Sequence, residues 1–258
     1  MFEDLNFQLL LYIDIETTPI VKDYYSLPTE DYRHAWLYYC RQNKLIDIND
    51  ERHEDVLNDL FKSKASLTPE FSQVICVSIG EYCLNENKVL EFKTWTRFLK
   101  NEEDNELLLL KDVHKYIDSR SNKELIAHNG KSFDYPFLIK RWIINGIKPP
   151  KQLQVFNKKP WEVNTYDTKE IWKFGGLNSA SLLAICVSLN ILSPKIGIDG
   201  SMIFGLFWET NDKYGSMMNI AKYCSNDVRA LALIVQKLVA VDLNNITLPE
   251  IKYVQNNQ

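Results

Sequence analysis

Two acidic residues, Asp14 and Glu16, occupy alternate positions in an apolar run near the start of the chain. The residues around them are mainly leucine and isoleucine, which predicts a buried strand that Pro19 should stop. Because residues i and i+2 of a strand project to the same face, both carboxylates should point into one volume at the strand end. Ile13 and Ile15 should anchor the opposite face.

Mutual repulsion makes this pair of carboxylates informative. At about 5 Å and an effective dielectric constant of about 20, two such charges repel by roughly 3 kcal/mol. A cation between them would relieve the repulsion, and oxygen ligands suit hard divalent ions such as Mg²⁺ or Mn²⁺. For the pair taken alone, a strand whose acidic residues face water is the alternative interpretation.

The size of the chain suits one large globular domain with an insertion, since it has 258 residues of which 45% are hydrophobic. Its five cysteines lack C-x-x-C spacing, so we expect reduced thiols rather than a disulfide framework or a zinc site. We find no apolar run of the roughly 18 residues that a membrane span needs, and no basic start of a signal peptide. We therefore expect a cytoplasmic protein without a membrane partner.

Positive charge is concentrated in residues 131–195, which hold ten basic and four acidic residues and so carry +6, although the whole chain carries −4. This segment could form a phosphate-facing surface or simply a solvated lysine-rich one. The residues considered for that surface are Lys131, Lys140, Arg141, Lys148, Lys151, Lys158 and Lys159. Lys195, in a later loop, is a further candidate for phosphate contact by its position.

The order of predicted elements indicates an α/β protein. Helical spacing over residues 30–64 predicts two helices inserted between strands. Residues 74–79 and 89–95 predict a β-hairpin, and 107–117 predict an amphipathic helix that precedes a short strand at 125–127. An antiparallel start is thus followed by β-α units.

The two inserted helices follow the acidic strand directly, so the chain should return near it. They could serve as a lid or substrate clamp. The alternative is ordinary packing through Trp36, Tyr38 and Tyr39.

Asp134 follows the strand at 125–127 after a tight turn at Asn129-Gly130. Pro136 suits the first turn of a helix over 137–144, which places Asp134 at a helix N-terminus. Capping is the usual role of Asp there. Its coincidence with Asp14 and Glu16 favours a third metal ligand instead.

A long final helix is predicted over 217–241, with a buried apolar stripe. Tyr223 and Asp227 lie four residues apart and therefore on one face of this helix. Asp167, at the end of a strand predicted over 163–168, is better explained as a cap than as a ligand.

Three motifs resemble, in order and spacing, those of the DEDD exonuclease superfamily in its tyrosine-containing (DEDDy) branch. They are Asp14-x-Glu16, His128-Asn129-x-x-x-Phe133-Asp134-x-Pro136 and Tyr223-x-x-x-Asp227. Over residues 9–240 the chain is most similar to predicted 3′-5′ exonucleases related to the proofreading domain of family-B DNA polymerases. The resemblance implies an RNase H-like fold, with a mixed central sheet, helices on both faces and the helical insertion at residues 20–70. All of residues 1–258 would form one exonuclease domain.

The resemblance also implies a hydrolase that uses two metal ions, Mg²⁺ or Mn²⁺. Asp14 would bridge both ions. Glu16 and Asp227 would complete the site beside the attacking water, and Asp134 would hold the ion beside the leaving group. Tyr223 would orient the water, because a phenol with a pKa near 10 is a poor base at neutral pH.

Three residues are candidates for substrate binding. Asn129 and Phe133 could contact or stack on the terminal nucleotide, although Phe133 could equally belong to the core. Lys195 is the third, through a phosphate.

The expected function is hydrolysis of single-stranded or frayed DNA 3′ ends to nucleoside monophosphates. One alternative is a 3′-5′ exoribonuclease, because four carboxylates do not read the 2′-OH. Another is a catalytically silent nucleic-acid-binding module. We recognise no polymerase domain in the sequence, so a proofreading role would require a separate replication or repair protein.

Overall fold

The computed structural model describes residues 6–47, 53–159, 162–163, 165–192, 197–242 and 252–257. Its strands are β1 Leu10–Pro19, β2 Ser72–Leu84, β3 Leu90–Phe98, β4 Glu124–Ala127, β5 Thr165–Asp167 and β6 Lys252–Asn257. They form one mixed sheet in the order β5-β4-β1-β2-β3-β6. The pairs β1/β2 and β2/β3 are antiparallel, whereas β4, β5 and β6 each lie parallel to their neighbours.

Helices cover both faces of this sheet, which confirms the predicted α/β architecture. They are α1 Glu30–Gln42, α2 His53–Lys64, α3 Glu106–Asp118, α4 Asp134–Ile144, α5 Thr168–Lys173, α6 Leu182–Ser188, α7 Ile203–Trp208 and α8 Lys213–Asp242. One core contains side chains of α3 and α4 together with every second residue of β1 from Leu11. The other core contains side chains of α8 together with Leu10 and Tyr12 of the same strand.

The alternation of β1 decides which face carries its acidic residues. Leu11 and Ile13 pack into the core beneath α3 and α4, whereas Leu10 and Tyr12 pack beneath α8. Because side chains of a strand alternate between its two faces, Asp14 and Glu16 must project on the α8 side, like Leu10 and Tyr12.

The prediction that Asp14 and Glu16 lie at the end of their strand is wrong. Strand β1 continues to Pro19, which lies opposite Ser72 of β2. In the described sheet, β4 pairs with β1 only over Leu10–Tyr12. The acidic residues therefore lie in the middle of β1, at the point where the neighbouring strand has already ended.

Gly80 allows α8 to approach the sheet closely. A Cβ atom at this position would lie 2.2 Å from Cζ of Phe92 and 2.7 Å from Cγ1 of Val228, which is far inside normal contact distance. Gly80 pairs with Tyr12 on β1, so the close approach is next to the acidic residues. The predicted stripe of α8 is buried throughout, at Ile220, Cys224, Val228, Leu231, Val235 and Leu238.

A buried ion pair anchors α4 and corrects one prediction. Arg141 is buried and donates from Nε and Nη2 to the Glu106 carboxylate, at 3.0 and 2.5 Å. Its Nη1 donates to the carbonyl of Pro69, and Glu106 also accepts from the amide of Val74 on β2. Arg141 is therefore a structural residue and does not belong to a phosphate-facing surface.

The predicted helical insertion after the first strand is present as α1 and α2. It has a small core of its own, in which Trp36 donates from Nε1 to the carbonyl of Leu57 at 3.1 Å and stacks on Tyr39. Tyr38 is 63% exposed, so its predicted packing is wrong. The insertion contacts the acidic strand where the Thr17 hydroxyl donates to the carbonyl of Ser66.

Several element bounds differ from the predictions. The final helix, predicted from residue 217, begins at Lys213, and α5 and α7 were not predicted. The polar C-terminal tail, for which no element was predicted, contributes β6, which pairs with β3. All five cysteines are free thiols. Across the described ranges, no helix has the length and apolar character needed to traverse a lipid bilayer.

Substitution of Gly80 tests the close approach of α8. In Gly80→Ala the added methyl group must displace Phe92 or Val228, so the free energy of unfolding should fall by about 1–3 kcal/mol. Urea denaturation measures the change. Gly200→Ala is the matched control, because a Cβ there meets no atom within 4 Å among the described residues. Equal stabilities of the two variants would contradict the packing described here.

Candidate active site

Three elements bring four carboxylates together. Strand β1 supplies Asp14 and Glu16, α4 begins with Asp134, and α8 supplies Asp227. The charges of the other three all act on the Asp14 carboxyl group, which places it at the centre of the group. We refer to these four residues as the acidic cluster. The three sequence motifs thus converge at the place where β4 ends.

The electrostatics of the acidic cluster favour a bound cation. Burial raises the pKa of Asp14 well above its usual range, and the charges of Asp227, Glu16 and Asp134 raise it further. Within the described part of the chain, Oδ2 of Asp14 is buried and has no hydrogen-bond partner. An unsatisfied buried carboxylate oxygen among other carboxylates suits a hard divalent ion, which prefers oxygen ligands. The residues therefore fit the predicted Mg²⁺ or Mn²⁺ cofactor.

Asp134 is the first residue of α4 and is 4% exposed. The N-cap position belongs to Phe133, so Asp134 is not the capping residue. Its carboxylate accepts from its own backbone N–H and from that of Ile15 on β1. Burial nevertheless raises the pKa of Asp134 to about 7, and the charges of Asp167 and Asp227 add to the effect. In the absence of metal, burial therefore favours the protonated form of this carboxyl group.

Tyr223 is placed as its spacing predicts, with its ring nearly buried and its hydroxyl donating to Asp227. Burial raises the pKa of Tyr223, and the charges of Asp227, Glu16 and Asp14 raise it further. The phenol is therefore neutral at physiological pH and can orient a water molecule but cannot act as a base.

Cys224 was not among the predicted site residues. Its Sγ donates to the backbone carbonyl of Asp14 at 3.3 Å, and candidate ligand atoms of Asp14, Glu16 and Cys224 lie within 4.8 Å of one another. Burial raises the pKa of the Cys224 thiol well above its usual value, so the thiol is neutral and serves as a hydrogen-bond donor. Sequence reasoning placed Cys224 only in the apolar stripe of α8.

Asp167 organises the turn that precedes Asp134. Its side chain accepts from the backbone amides of Asn129, Lys131 and Lys169, at 2.8, 3.1 and 2.9 Å. The last of these bonds caps α5, as predicted. The backbone of Asn129 has a φ of +66°, a left-handed conformation that asparagine tolerates better than most residues.

The predicted substrate-binding residues have different surroundings. Asn129 is partly exposed, and its Oδ1 accepts from Nζ of Lys169 at 3.1 Å. Phe133 is half-buried, with its ring centroid 5.3 Å from that of Phe137 at the edge of the core. Lys195 lies outside the described residues.

The predicted basic surface is smaller than the sequence suggested. Lys131 forms an ion pair with Glu170 at 2.7 Å, and Lys140 forms one with Glu70 at 3.0 Å. Burial removes Arg141 from this surface, whereas the pairs of Lys131 and Lys140 are exposed and therefore weak. The remaining four are the exposed residues Lys148, Lys151, Lys158 and Lys159.

Comparisons with known proteins show what this chain is similar to. A family model described as RNase_H superfamily matches residues 63–239. Seventy-three chains of solved structures are similar, among them the family B DNA polymerase from the hyperthermophilic archaeon Pyrobaculum calidifontis, with a TM-score of 0.51 and 13% identity. That alignment covers 89% of this chain and 24% of the polymerase chain, so this chain spans about a quarter of the polymerase's length. A sequence search of curated proteins found no match.

The raised pKa of Asp134 predicts how stability depends on pH without metal. The folded state binds this proton more tightly than the unfolded chain, because the pKa rises from 3.8 to about 7 on folding. The resulting stabilisation is fully present below about pH 4 and is lost as the pH rises toward 7. Asp134→Asn removes the titration, so its free energy of unfolding should fall less steeply over this interval.

Urea denaturation in EDTA at several pH values measures the two slopes. The same substitution at the exposed Asp118, at the end of α3, is the matched control and should keep the wild-type slope. If Asp134→Asn also keeps that slope, the pKa of Asp134 is not raised.

Proposed function

The chain belongs to the RNase_H superfamily, and from that premise we propose that it is a 3′-5′ exonuclease acting on single-stranded or frayed DNA ends. The products would be nucleoside monophosphates. Superfamily membership confirms the RNase H-like fold and supports nuclease activity on nucleic acid. The observation that carries the finer proposal is the meeting of three sequence motifs in one acidic cluster, with Tyr223 bonded to Asp227.

The acidic cluster would hold two divalent ions, Mg²⁺ or Mn²⁺. When bound, they would supply positive charge that activates the attacking water and stabilises the leaving oxygen. Asp14, on which the other three carboxylates act, would serve both ions. Glu16 and Asp227 would bind on the side of the attacking water. Asp134 would bind on the leaving-group side and would release its proton when the site is filled.

Tyr223 would position the attacking water. Its hydroxyl donates to Asp227, so an oxygen lone pair remains available to accept a hydrogen bond from a water molecule. Because the phenol stays neutral, the proton lost by the water must leave by another route than Tyr223. The residue is therefore proposed to orient the nucleophile and not to deprotonate it.

Two further observations bear on substrate and compartment. The similarity in fold to a DNA polymerase supports DNA as the substrate. Five free thiols suit a reducing compartment, which supports a cytoplasmic location. The presence of all four carboxylates argues against a catalytically silent binding module.

Incubation of the purified protein with labelled DNA and RNA strands of the same sequence tests the proposal. With Mg²⁺ or Mn²⁺, a 5′-labelled DNA strand should shorten stepwise, and a 3′-labelled strand should release a labelled mononucleotide at once. EDTA should stop the reaction. Asp227→Ala should abolish hydrolysis but still bind DNA, because we expect cationic side chains to bind the phosphates. Faster cleavage of RNA would indicate an exoribonuclease, and binding without any cleavage would indicate a silent module.

Removal of the Tyr223 hydroxyl tests the role of that residue. Tyr223→Phe keeps the ring in the core, so melting temperature and DNA affinity should barely change. The single-turnover cleavage rate should fall by about 10- to 1,000-fold, the general range for loss of one catalytic hydrogen-bonding group. Tyr214→Phe, at a 57% exposed tyrosine of the same helix, is the control. Cleavage by Tyr223→Phe at the wild-type rate would remove Tyr223 from the site.

A further inference from the structure

Lys169 is a partly buried cation near the acidic cluster. In the described part of the chain its ammonium group forms no ion pair, and it donates to Oδ1 of Asn129 at 3.1 Å. Lys131, close by, is instead neutralised by Glu170. The positive charge of Lys169 therefore remains available to another anion.

The contact with Lys169 also fixes the orientation of the Asn129 amide. An ammonium group only donates hydrogen bonds, so the amide oxygen must face it and the amide NH₂ must face away. Asn129 and Lys169, which we call the donor pair, thus present only N–H groups to a ligand. An anion with several acceptor oxygens, such as a phosphate group, matches this chemistry.

One carboxylate oxygen positions both members of the donor pair. Oδ1 of Asp167 accepts from the backbone amide of Asn129 at 2.8 Å and from that of Lys169 at 2.9 Å. Asp167 is 3% exposed, so these bonds are shielded from water. The turn after β4 and the first turn of α5 are therefore held together at a single atom.

The donor pair lies beside the proposed reaction site. The backbone carbonyl of Asn129 accepts from the amides of Ser132 and Phe133, at 3.1 and 3.0 Å, and the next residue is Asp134. The Asp167 carboxylate is close enough to Asp134 to act on it electrostatically. The donor pair is therefore separated from Asp134 by about one turn of chain, and it neighbours the residue proposed to bind on the leaving-group side.

We propose that the donor pair binds a backbone phosphate of the substrate strand and that Asp167 is its positioning residue. This inference rests on the proposed nuclease function, because it takes the ligand to be a nucleic acid strand. Lys169 would contribute positive charge, and the amide NH₂ of Asn129 would donate a directional hydrogen bond to the phosphate. Asp167 would touch no substrate and would act through the two amides that it holds.

Binding measurements test the proposal without relying on cleavage. The probe is a fluorescent single-stranded DNA, titrated in Mn²⁺ at several salt concentrations, with every variant made in the Asp227→Ala background. Loss of one phosphate contact on a single strand should reduce the slope of log affinity against log salt by about 0.7. Lys169→Met should show this reduction and about tenfold or greater loss of affinity. Lys169→Arg should retain the slope.

Lys111→Met is the matched control, because it removes the same charge from an exposed lysine of α3, a helix that carries no residue of the acidic cluster or of the predicted basic surface. Its slope and affinity should remain closer to the parent protein than those of Lys169→Met. Equal effects of the two substitutions would overturn the proposal, as would the failure of the parent protein to bind the strand at all.

Asp167→Ala tests the positioning role. It removes the oxygen that holds the backbone amides of both Asn129 and Lys169, so it should reduce the salt slope as Lys169→Met does. The double variant should show no further reduction, since both changes disable one subsite. A purely structural Asp167 would lower the melting temperature and leave the slope unchanged, which would overturn its assignment.

Failure of the two proposals can be told apart. If the protein cleaves DNA and Lys169→Met keeps the parent slope, the exonuclease stands and the subsite is wrong. If Lys169→Met reduces the salt slope and the wild-type protein cleaves no strand, the phosphate subsite stands and the proposed exonuclease activity is wrong.

Discussion

Repulsion between four clustered carboxylates is the constraint on which the rest of this structure depends. Burial strengthens that repulsion, because charge is poorly screened away from water. The described structure answers it with single hydrogen bonds from the surrounding elements. Cys224 donates to the carbonyl of Asp14, the amide of Ile15 donates to Asp134, and Tyr223 donates to Asp227. None of these donors carries charge, so they do not neutralise the repulsion, and the cluster remains suited to divalent cations.

The scaffold holds this unfavourable arrangement through contacts outside the acidic cluster. Gly80 lets α8 lie close to the sheet, the Glu106 and Arg141 pair fixes α4, and Asp167 fixes the turn that leads into α4. The early end of β4 matters as well, because it leaves the amide of Ile15 free to bond Asp134 instead of another strand. Each element that carries an acidic residue is thus secured by a different type of contact.

Sequence spacing predicted the parts of the site that depend on local geometry. Alternation along a strand placed Asp14 and Glu16 on one face, and helical spacing stacked Tyr223 above Asp227. It did not reveal which neighbouring strand would end first, so the acidic residues were expected at the end of β1 and not in its middle. The buried hydrogen bond of Cys224 was also out of reach, because its position in an apolar stripe resembles that of any core residue. Pairing of the polar tail with β3 depends on contacts far apart in sequence, which no local pattern encodes.

The two ends of the helical insertion are direct neighbours in the sheet. Pro19 lies opposite Ser72, and the amide of Ile20 donates to the carbonyl of Phe71 at 3.0 Å. Topologically, β1 and β2 form a hairpin whose turn has grown into a module with its own core. The entropy of closing such a loop rises only slowly with length, so the sheet places little restriction on the size of this segment. It is a natural point for diversification or for grafting another binding unit, while the register that aligns the acidic strand stays unchanged.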